Sequence, residues 1–347
     1  MRPSELMRVI EREISFGGEA HAPIMIWGPP GVGKSCIIAA ATARAGIGLV
    51  DVRLAQMEPT DLRGIPFRDG SNVQWAIPTL LPDRERHGWR GVLFLDEITS
   101  AVPTVTAAAY QLILDRRLGE YRVPEGWLIF AAGNRHGDRG VTYAMPAPLA
   151  NRFVHYEIEP DVDDWVAWAL ETGIDARLIA FVRFRPDLLF QFDPERQSAA
   201  FPSPRTWAYA DGALRKFKDL PDLLRESIKG SVGANAAAAF GAYLRHLDVL
   251  PDPARALAGG TFAVLNSVEL EYAFATSLAQ HIVRLGAVER RSVLGRALNL
   301  ARDFKHREIG VMLVTDLHRI IGQPFYDVPE FVEWAAEVRD LVSFARE

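Results

Sequence analysis

Gly28, Gly33, Lys34 and Ser35 stand at the spacing G-x-x-x-x-G-K-[ST] within the run Gly28-Pro29-Pro30-Gly31-Val32-Gly33-Lys34-Ser35-Cys36. These residue types together can grip a chain of phosphates. Glycines let the backbone curl until successive N–H groups point inward, and a helix starting at that point adds its positive end. Lys34 would reach the β- and γ-phosphates, and the Ser35 hydroxyl would ligate Mg²⁺. The apolar Ile24-Met25-Ile26-Trp27 before the loop reads as a buried strand, and Cys36-Ile37-Ile38-Ala39-Ala40-Ala41 after it reads as a helix. The pattern in this context implies a nucleoside triphosphate held by residues 28–36.

Two further groups could act on such a ligand. Gly91-Val92-Leu93-Phe94-Leu95 is an apolar strand that ends in two adjacent carboxylates, Asp96 and Glu97, 62 positions after Lys34. Side chains alternate along a strand, so the two face different directions at its tip. Asp96 can hold the hydrated Mg²⁺ while Glu97 polarises water for in-line attack on the γ-phosphate. Leu128-Ile129-Phe130-Ala131-Ala132-Gly133 delivers Asn134 in the same manner, a short amide able to orient that water.

Five short apolar segments must carry these groups: Ile24–Trp27, Leu49–Arg53, Val92–Leu95, Leu128–Ala132 and Phe153–Ile158. Most are continuous apolar runs separated by helical patterns or loops, which predicts a parallel sheet covered by helices on both faces. Its ligand should lie at the carboxyl ends of the strands. From about Pro160 the pattern turns helical, over Asp161–Thr172, Ala176–Phe184, Arg205–Lys218, Asp222–Ile228 and Ala234–His246. A second helical set follows the Pro251-Asp252-Pro253 break: Val268–Leu285, Ala287–Asp303, His306–Ile321 and Glu330–Arg346.

Composition bounds the rest. A chain of 347 residues accommodates about two or three domains. With 49% hydrophobic and 24% charged residues it reads as an ordinary soluble globular protein. A net charge of −5 gives no general attraction to nucleic acid. The N-terminus does not read as a signal peptide. No window reaches the ~18 consecutive apolar residues of a membrane span; the richest, Ala234–Leu244, reads as a buried helix. The single cysteine, Cys36, cannot pair within the chain, so a reducing cytoplasm is expected. Its side chain is expected to pack under the sheet. The histidines lack metal-ligand spacing, which argues against zinc. Trp165 and Trp168 fall at helical spacing and read as core.

The order of these elements resembles the AAA+ ATPases, and within them the MoxR-like and dynein-related branch. The resemblance covers about residues 20–245. It implies a P-loop NTPase αβα sandwich with a five-stranded parallel sheet over residues 1–160. An all-helical lid over 161–250 and a helical C-terminal extension over 251–347 would follow. In this family a strand-borne asparagine senses the γ-phosphate, as Asn134 would. Pro146-Ala147-Pro148-Leu149-Ala150-Asn151-Arg152-Phe153 resembles the stretch whose arginine reaches the neighbouring subunit's nucleotide, so Arg152 would be that finger, with Arg135 and Arg139 as rivals. A forked, permanently charged guanidinium suits the task. Ser203-Pro204-Arg205-Thr206-Trp207 resembles the start of a lid helix whose arginine, here Arg205, reads the phosphate.

Thr60-Asp61-Leu62-Arg63-Gly64-Ile65-Pro66 with Trp75-Ala76-Ile77-Pro78 resembles the branch's insertion within its second helix. Arg116-Arg117-Leu118-Gly119-Glu120-Tyr121-Arg122-Val123-Pro124 resembles its hairpin before the sensing strand. Both would project toward the pore of a ring. The resemblance therefore implies a Mg²⁺-dependent, ATP-hydrolysing homo-oligomeric ring of six subunits. It would remodel a partner protein, one carrying a von Willebrand A-type domain being the implied class. A nucleic-acid-stimulated motor and a weakly hydrolysing ATP-regulated scaffold are the alternatives.

Overall fold

The computed structural model describes residues 1–17, 21–135, 137–138, 143–193, 199–261, 265–322, 325–326 and 328–338. Arg139 lies outside the described residues, as does the end of the last expected helix. The chain divides into a unit built on Met1–Asp161 and a unit built on Val162–Phe192 with Ser198–Glu347.

The first unit runs α1 (Pro3–Phe16), β1 (Ile24–Trp27), α2 (Lys34–Ala45), β2 (Gly48–Arg53), α3 (Pro59–Arg63), β3 (Ile65–Asp69) and β4 (Asn72–Ala76). It continues with α4 (Arg84–His87), β5 (Gly91–Asp96), α5 (Pro103–Asp115), β6 (Arg117–Leu118), β7 (Tyr121–Arg122), β8 (Trp127–Gly133), α6 (Ala147–Ala150) and β9 (Val154–Glu157). Five strands pair in parallel in the order β2-β5-β8-β1-β9. Every residue of β5 and β8 is buried, because both strands lie inside the sheet and are covered on both faces. The edge strands β2 and β9 expose alternate or most residues, which is why they are less uniformly apolar.

Strand alternation divides the core. Met25, Leu93, Leu95, Ile129 and Ala131 pack in one cluster with Val105, Ala108, Leu112 and Ile113 of α5. The intervening Ile24, Ile26, Val92, Phe94, Leu128 and Phe130 are buried on the opposite face. There α1 packs on α2. Leu6, Ile10 and Ile14 of α1 recur every fourth residue and are all buried, worth about 1.5–3 kcal/mol each. Trp127 fills the base of the sheet. A Cβ added at Gly91 would stand 2.6 Å from the Trp127 ring and 2.7 Å from the Gly48 carbonyl oxygen. Gly91→Ala is therefore expected to cost about 1–3 kcal/mol of stability, read as a lowered thermal midpoint.

Two short hairpins project from this frame. In β3–β4 every residue is exposed, including Ile65, Phe67, Val73 and Trp75. The β6–β7 hairpin is anchored by buried Leu118 and by Tyr121, whose hydroxyl donates to the Pro82 carbonyl at 2.8 Å.

The second unit is helical: α7 (Val162–Thr172), α8 (Ala176–Phe184), α9 (Pro204–Lys216), α10 (Pro221–Val232), α11 (Ala234–His246), α12 (Pro253–Leu257), α13 (Val268–Arg284), α14 (Ala287–Asp303), α15 (Arg307–Ile321) and α16 (Pro329–Glu337). Although α13 follows the Pro251–Pro253 break, it packs on α8. Its Leu270 and Ala273 join the cluster of α7–α11, while Phe274 and Leu278 join that of α14 and α15. A buried ion pair at 2.6 Å, Arg183 of α8 with Asp316 of α15, ties the same region. Trp165 lies in the core, but Trp168 is 43% exposed, contrary to its expected burial. Its position on α7 lies off the stripe formed by Trp165, Val166, Ala169 and Leu170. The expected buried helix α11 buries only one face, through Ala236, Phe240 and Tyr243. No helix among the described residues is long and apolar enough to cross a membrane.

Candidate nucleotide site

The loop from Gly28 to Gly33 joins β1 to α2. Gly31 and Gly33 have φ of +83° and +102°, a region that side-chain-bearing residues enter only at a cost. Gly28 answers a different need: a Cβ there would stand 2.6 Å from the Ile158 side chain and 2.8 Å from its carbonyl oxygen. Its N–H donates to the Gly133 carbonyl at 3.4 Å, which joins the loop to the end of β8. Pro29, Gly31 and Val32 are buried, and Pro30 is half-buried.

Helix α2 begins at Lys34, so the loop ends on the N–H groups of its first turn. The Lys34 ammonium donates to the Gly28 carbonyl at 2.6 Å, to the Pro29 carbonyl at 3.1 Å and to Asn134 Oδ1 at 3.1 Å. The Ser35 hydroxyl donates to Asp96 Oδ2 at 2.6 Å. These two bonds span three strands: residues from the tips of β1, β5 and β8 meet at one end of the sheet. A hydroxyl and a carboxylate at this separation are hard oxygen donors of the kind Mg²⁺ takes.

Cys36 is exposed, contrary to the expectation that it packs under the sheet. The reason is the phase of α2, which buries Ile37, Ile38, Ala41 and Thr42 and turns position 36 outward.

The two acidic neighbours differ sharply. Asp96 is 8% exposed, and its Oδ1 accepts the Glu97 N–H at 2.9 Å. Glu97 is exposed and holds φ +57°. A residue with a Cβ pays of order 1–2 kcal/mol for that conformation. Bonds on either side impose it: Ile98 N–H donates to the Ala132 carbonyl at 3.0 Å and Ser100 N–H to the Glu97 carbonyl at 2.9 Å. Such strain beside a phosphate loop is a pointer to function.

Thr99 and Asp51 escaped the sequence reading. The Asn134 N–H donates to buried Thr99 Oγ1 at 3.1 Å, so Thr99 fixes the backbone that carries the amide. Nothing in its residue type announces this. Asp51 of β2 is brought near Asp96 and Glu97 by the β2–β5 pairing, in which Arg53 stands opposite Asp96. Partial burial holds its carboxyl above the usual range, Asp96 and Glu97 add to the effect, and Arg53 opposes it. A lone acid inside the apolar run Leu49-Val50-Asp51-Val52 was the available signal.

Three arginines remain to be placed. Arg152 follows α6, is exposed, and forms no ion pair among the described residues. Arg135 faces Asp138, Glu157 and Glu159 at 3.3, 3.8 and 3.6 Å. Arg205 stands in the first turn of α9 in the helical unit. The Ser203 hydroxyl caps that helix by accepting the Thr206 N–H at 3.2 Å, and Pro204 occupies its first position.

Residues 24–155 match the model of the family described as AAA, ATPase family associated with various cellular activities. Midasin of Giardia intestinalis is 26% identical over 171 residues, covering 46% of this chain. That stretch is 4% of Midasin, so the chain spans a small part of this relative. A candidate ATPase of Cytophaga hutchinsonii aligns at 12% identity and a TM-score of 0.36, over 66% of this chain and 80% of that one. NtrX of Brucella abortus, solved with ADP, aligns at 18% identity and a TM-score of 0.35, over 99% and 68%.

Proposed function

We propose that the protein, whose residues 24–155 match the model of the AAA ATPase family, hydrolyses ATP to ADP and phosphate within a ring of identical subunits and remodels a partner protein. The observation that carries this reading is the meeting of Ser35 with Asp96 and of Lys34 with Asn134 at the carboxyl ends of β1, β5 and β8.

In this reading the loop amides of residues 28–35 and the Lys34 ammonium bind the phosphates. Ser35 and Asp96 would hold Mg²⁺, which when bound neutralises charge on the β- and γ-oxygens. Glu97 takes a proton from water as the water oxygen bonds to the γ-phosphorus and the bond to the bridging oxygen breaks. Asn134, steadied by Thr99, orients that water. Arg152 stabilises the charge on the γ-phosphate of the adjacent subunit. Its freedom from ion pairs among the described residues favours it over Arg135, which three carboxylates of its own chain already face. Arg205 is given the part of reporting phosphate state on the family resemblance alone.

The β3–β4 hairpin supports the remodelling part of the reading. An exposed strand pair bearing Ile65, Phe67, Val73 and Trp75 offers apolar surface to another protein. The MoxR-like branch and a partner with a von Willebrand A-type domain are further parts of the proposal. Capture on the Glu97→Gln variant with ATP, followed by identification of the bound protein, tests them.

The cross-subunit part has a direct test. Arg152→Ala and Lys34→Ala proteins, each with little turnover alone, are expected to regain part of it when mixed. One subunit then supplies a binding site and its neighbour supplies the arginine. No gain in any mixture, with assembly intact, would count against Arg152 acting across subunits. Turnover stimulated by DNA and falling steeply with salt would replace the protein partner with nucleic acid.

A further inference from the structure

Trp27 is the last residue of β1 and the neighbour of Gly28, whose carbonyl accepts from Lys34. Its indole N–H donates to His155 Nδ1 at 2.8 Å, and the two rings stack at 6.0 Å with 19° between their planes. An indole N–H can only donate, so Nδ1 of His155 must be the acceptor. That fixes the proton of the neutral imidazole on Nε2. Nε2 lies 2.8 Å from the Ala150 carbonyl oxygen and donates to it. The same carbonyl accepts the Phe153 N–H at 3.1 Å, and the Arg152 N–H donates to the Leu149 carbonyl at 3.0 Å. These bonds define the turn from which Arg152 projects. His155 also meets the Phe153 ring edge-on at 6.2 Å.

One imidazole therefore connects the root of the phosphate loop to the turn that carries Arg152. The alternatives are less economical: β1 and β9 already pair through their backbones, with Met25 opposite His155, and that pairing needs neither side chain. The indole and imidazole add a connection that the ladder does not provide, from Trp27 diagonally to the end of α6.

We infer that His155 is a positioning residue, which through Trp27 and the Ala150 carbonyl holds in place the turn that presents Arg152. This rests on the proposed action of Arg152 on a neighbour's nucleotide. It extends that reading by naming the contacts that hold the arginine-bearing turn against the root of the phosphate loop. Fixing a charged group to within a fraction of an ångström is where much of an enzyme's rate resides.

The test uses the mixture in which Lys34→Ala subunits supply only the arginine and Arg152→Ala subunits supply only the phosphate site. His155→Phe keeps a ring but removes both hydrogen bonds. Placed in the arginine-supplying subunit, it is expected to cut the restored turnover by about tenfold or more. Placed in the other subunit it is expected to cost distinctly less. His155→Gln presents one acceptor and one donor at a spacing close to that of the ring nitrogens, and should recover most of the loss. Trp27→Phe, which deletes the donor at the far end, should repeat the effect and serves if His155→Phe folds poorly. Equal losses in both subunits, or a full signal with His155→Phe in the arginine-supplying one, would overturn the inference while leaving Arg152 in its role. Absence of any restored turnover in the unmodified mixture would remove that role, and this inference with it.

Discussion

Glu97→Gln protein is expected to bind ATP as the parent does and to lose turnover by about a hundredfold or more, as loss of a general base requires. Glutamine preserves the shape of the side chain but cannot take the proton from water. Binding should survive because the groups proposed to grip phosphate are the loop, Lys34 and the Ser35–Asp96 pair, none of which uses the Glu97 carboxylate. Calorimetry for affinity and phosphate release for turnover separate the two effects. Normal turnover would move the base elsewhere, and Asp51, whose carboxyl feels both Asp96 and Glu97, would then be an acid to consider. The backbone offers a second check. Glu97→Gly relieves the cost of φ +57°, so it should lose turnover equally without lowering the thermal midpoint. A stability–activity opposition of this kind is the mark of strain retained for function.

Lys34→Ala is expected to weaken ATP binding by about a hundredfold or more. A charge-assisted hydrogen bond to phosphate is worth about 1.5–3 kcal/mol, and the lysine forms more than one. Little stability should be lost with it. The lysine is only half-buried, so the bonds it gives up are partly replaced by water. Unchanged affinity by calorimetry would remove the phosphate-loop assignment itself, and the readings of Asp96, Glu97 and Asn134 would fall with it.

The strands and the three groups at their tips were legible because burial and chemistry leave different traces. β5 and β8 are covered on both faces, so their apolar runs are continuous and end abruptly at Asp96 and Asn134. β1 coincides with its expected bounds, and the hairpins at β3–β4 and β6–β7 fall on the segments singled out as insertions. Helix α1 lies outside the expected elements: its apolar stripe is only Leu6, Ile10 and Ile14, separated by Arg and Glu residues. Thr99 could not be read at all: its role is a hydrogen bond to the backbone of a residue 35 positions away, and no local pattern encodes it. The Trp27–His155 contact spans 128 positions and depends on β9 lying beside β1, which is a fact of topology and not of either neighbourhood. A short, uniformly apolar run does not fix the phase of a helix, which is why the outward turn of Cys36 is a fact of the structure alone.

Lys34 is the only lysine among the first 161 residues, where every other side-chain cation is arginine or histidine. Its ammonium is the one held between the Gly28 and Pro29 carbonyls and Asn134. Apart from the α-amino group, an amine-selective reagent, such as an aldehyde that forms a Schiff base, has this single nitrogen to modify in residues 1–161. The unit thus carries a built-in chemical address, and protection of that address by a nucleotide is an occupancy gauge that needs no engineered label.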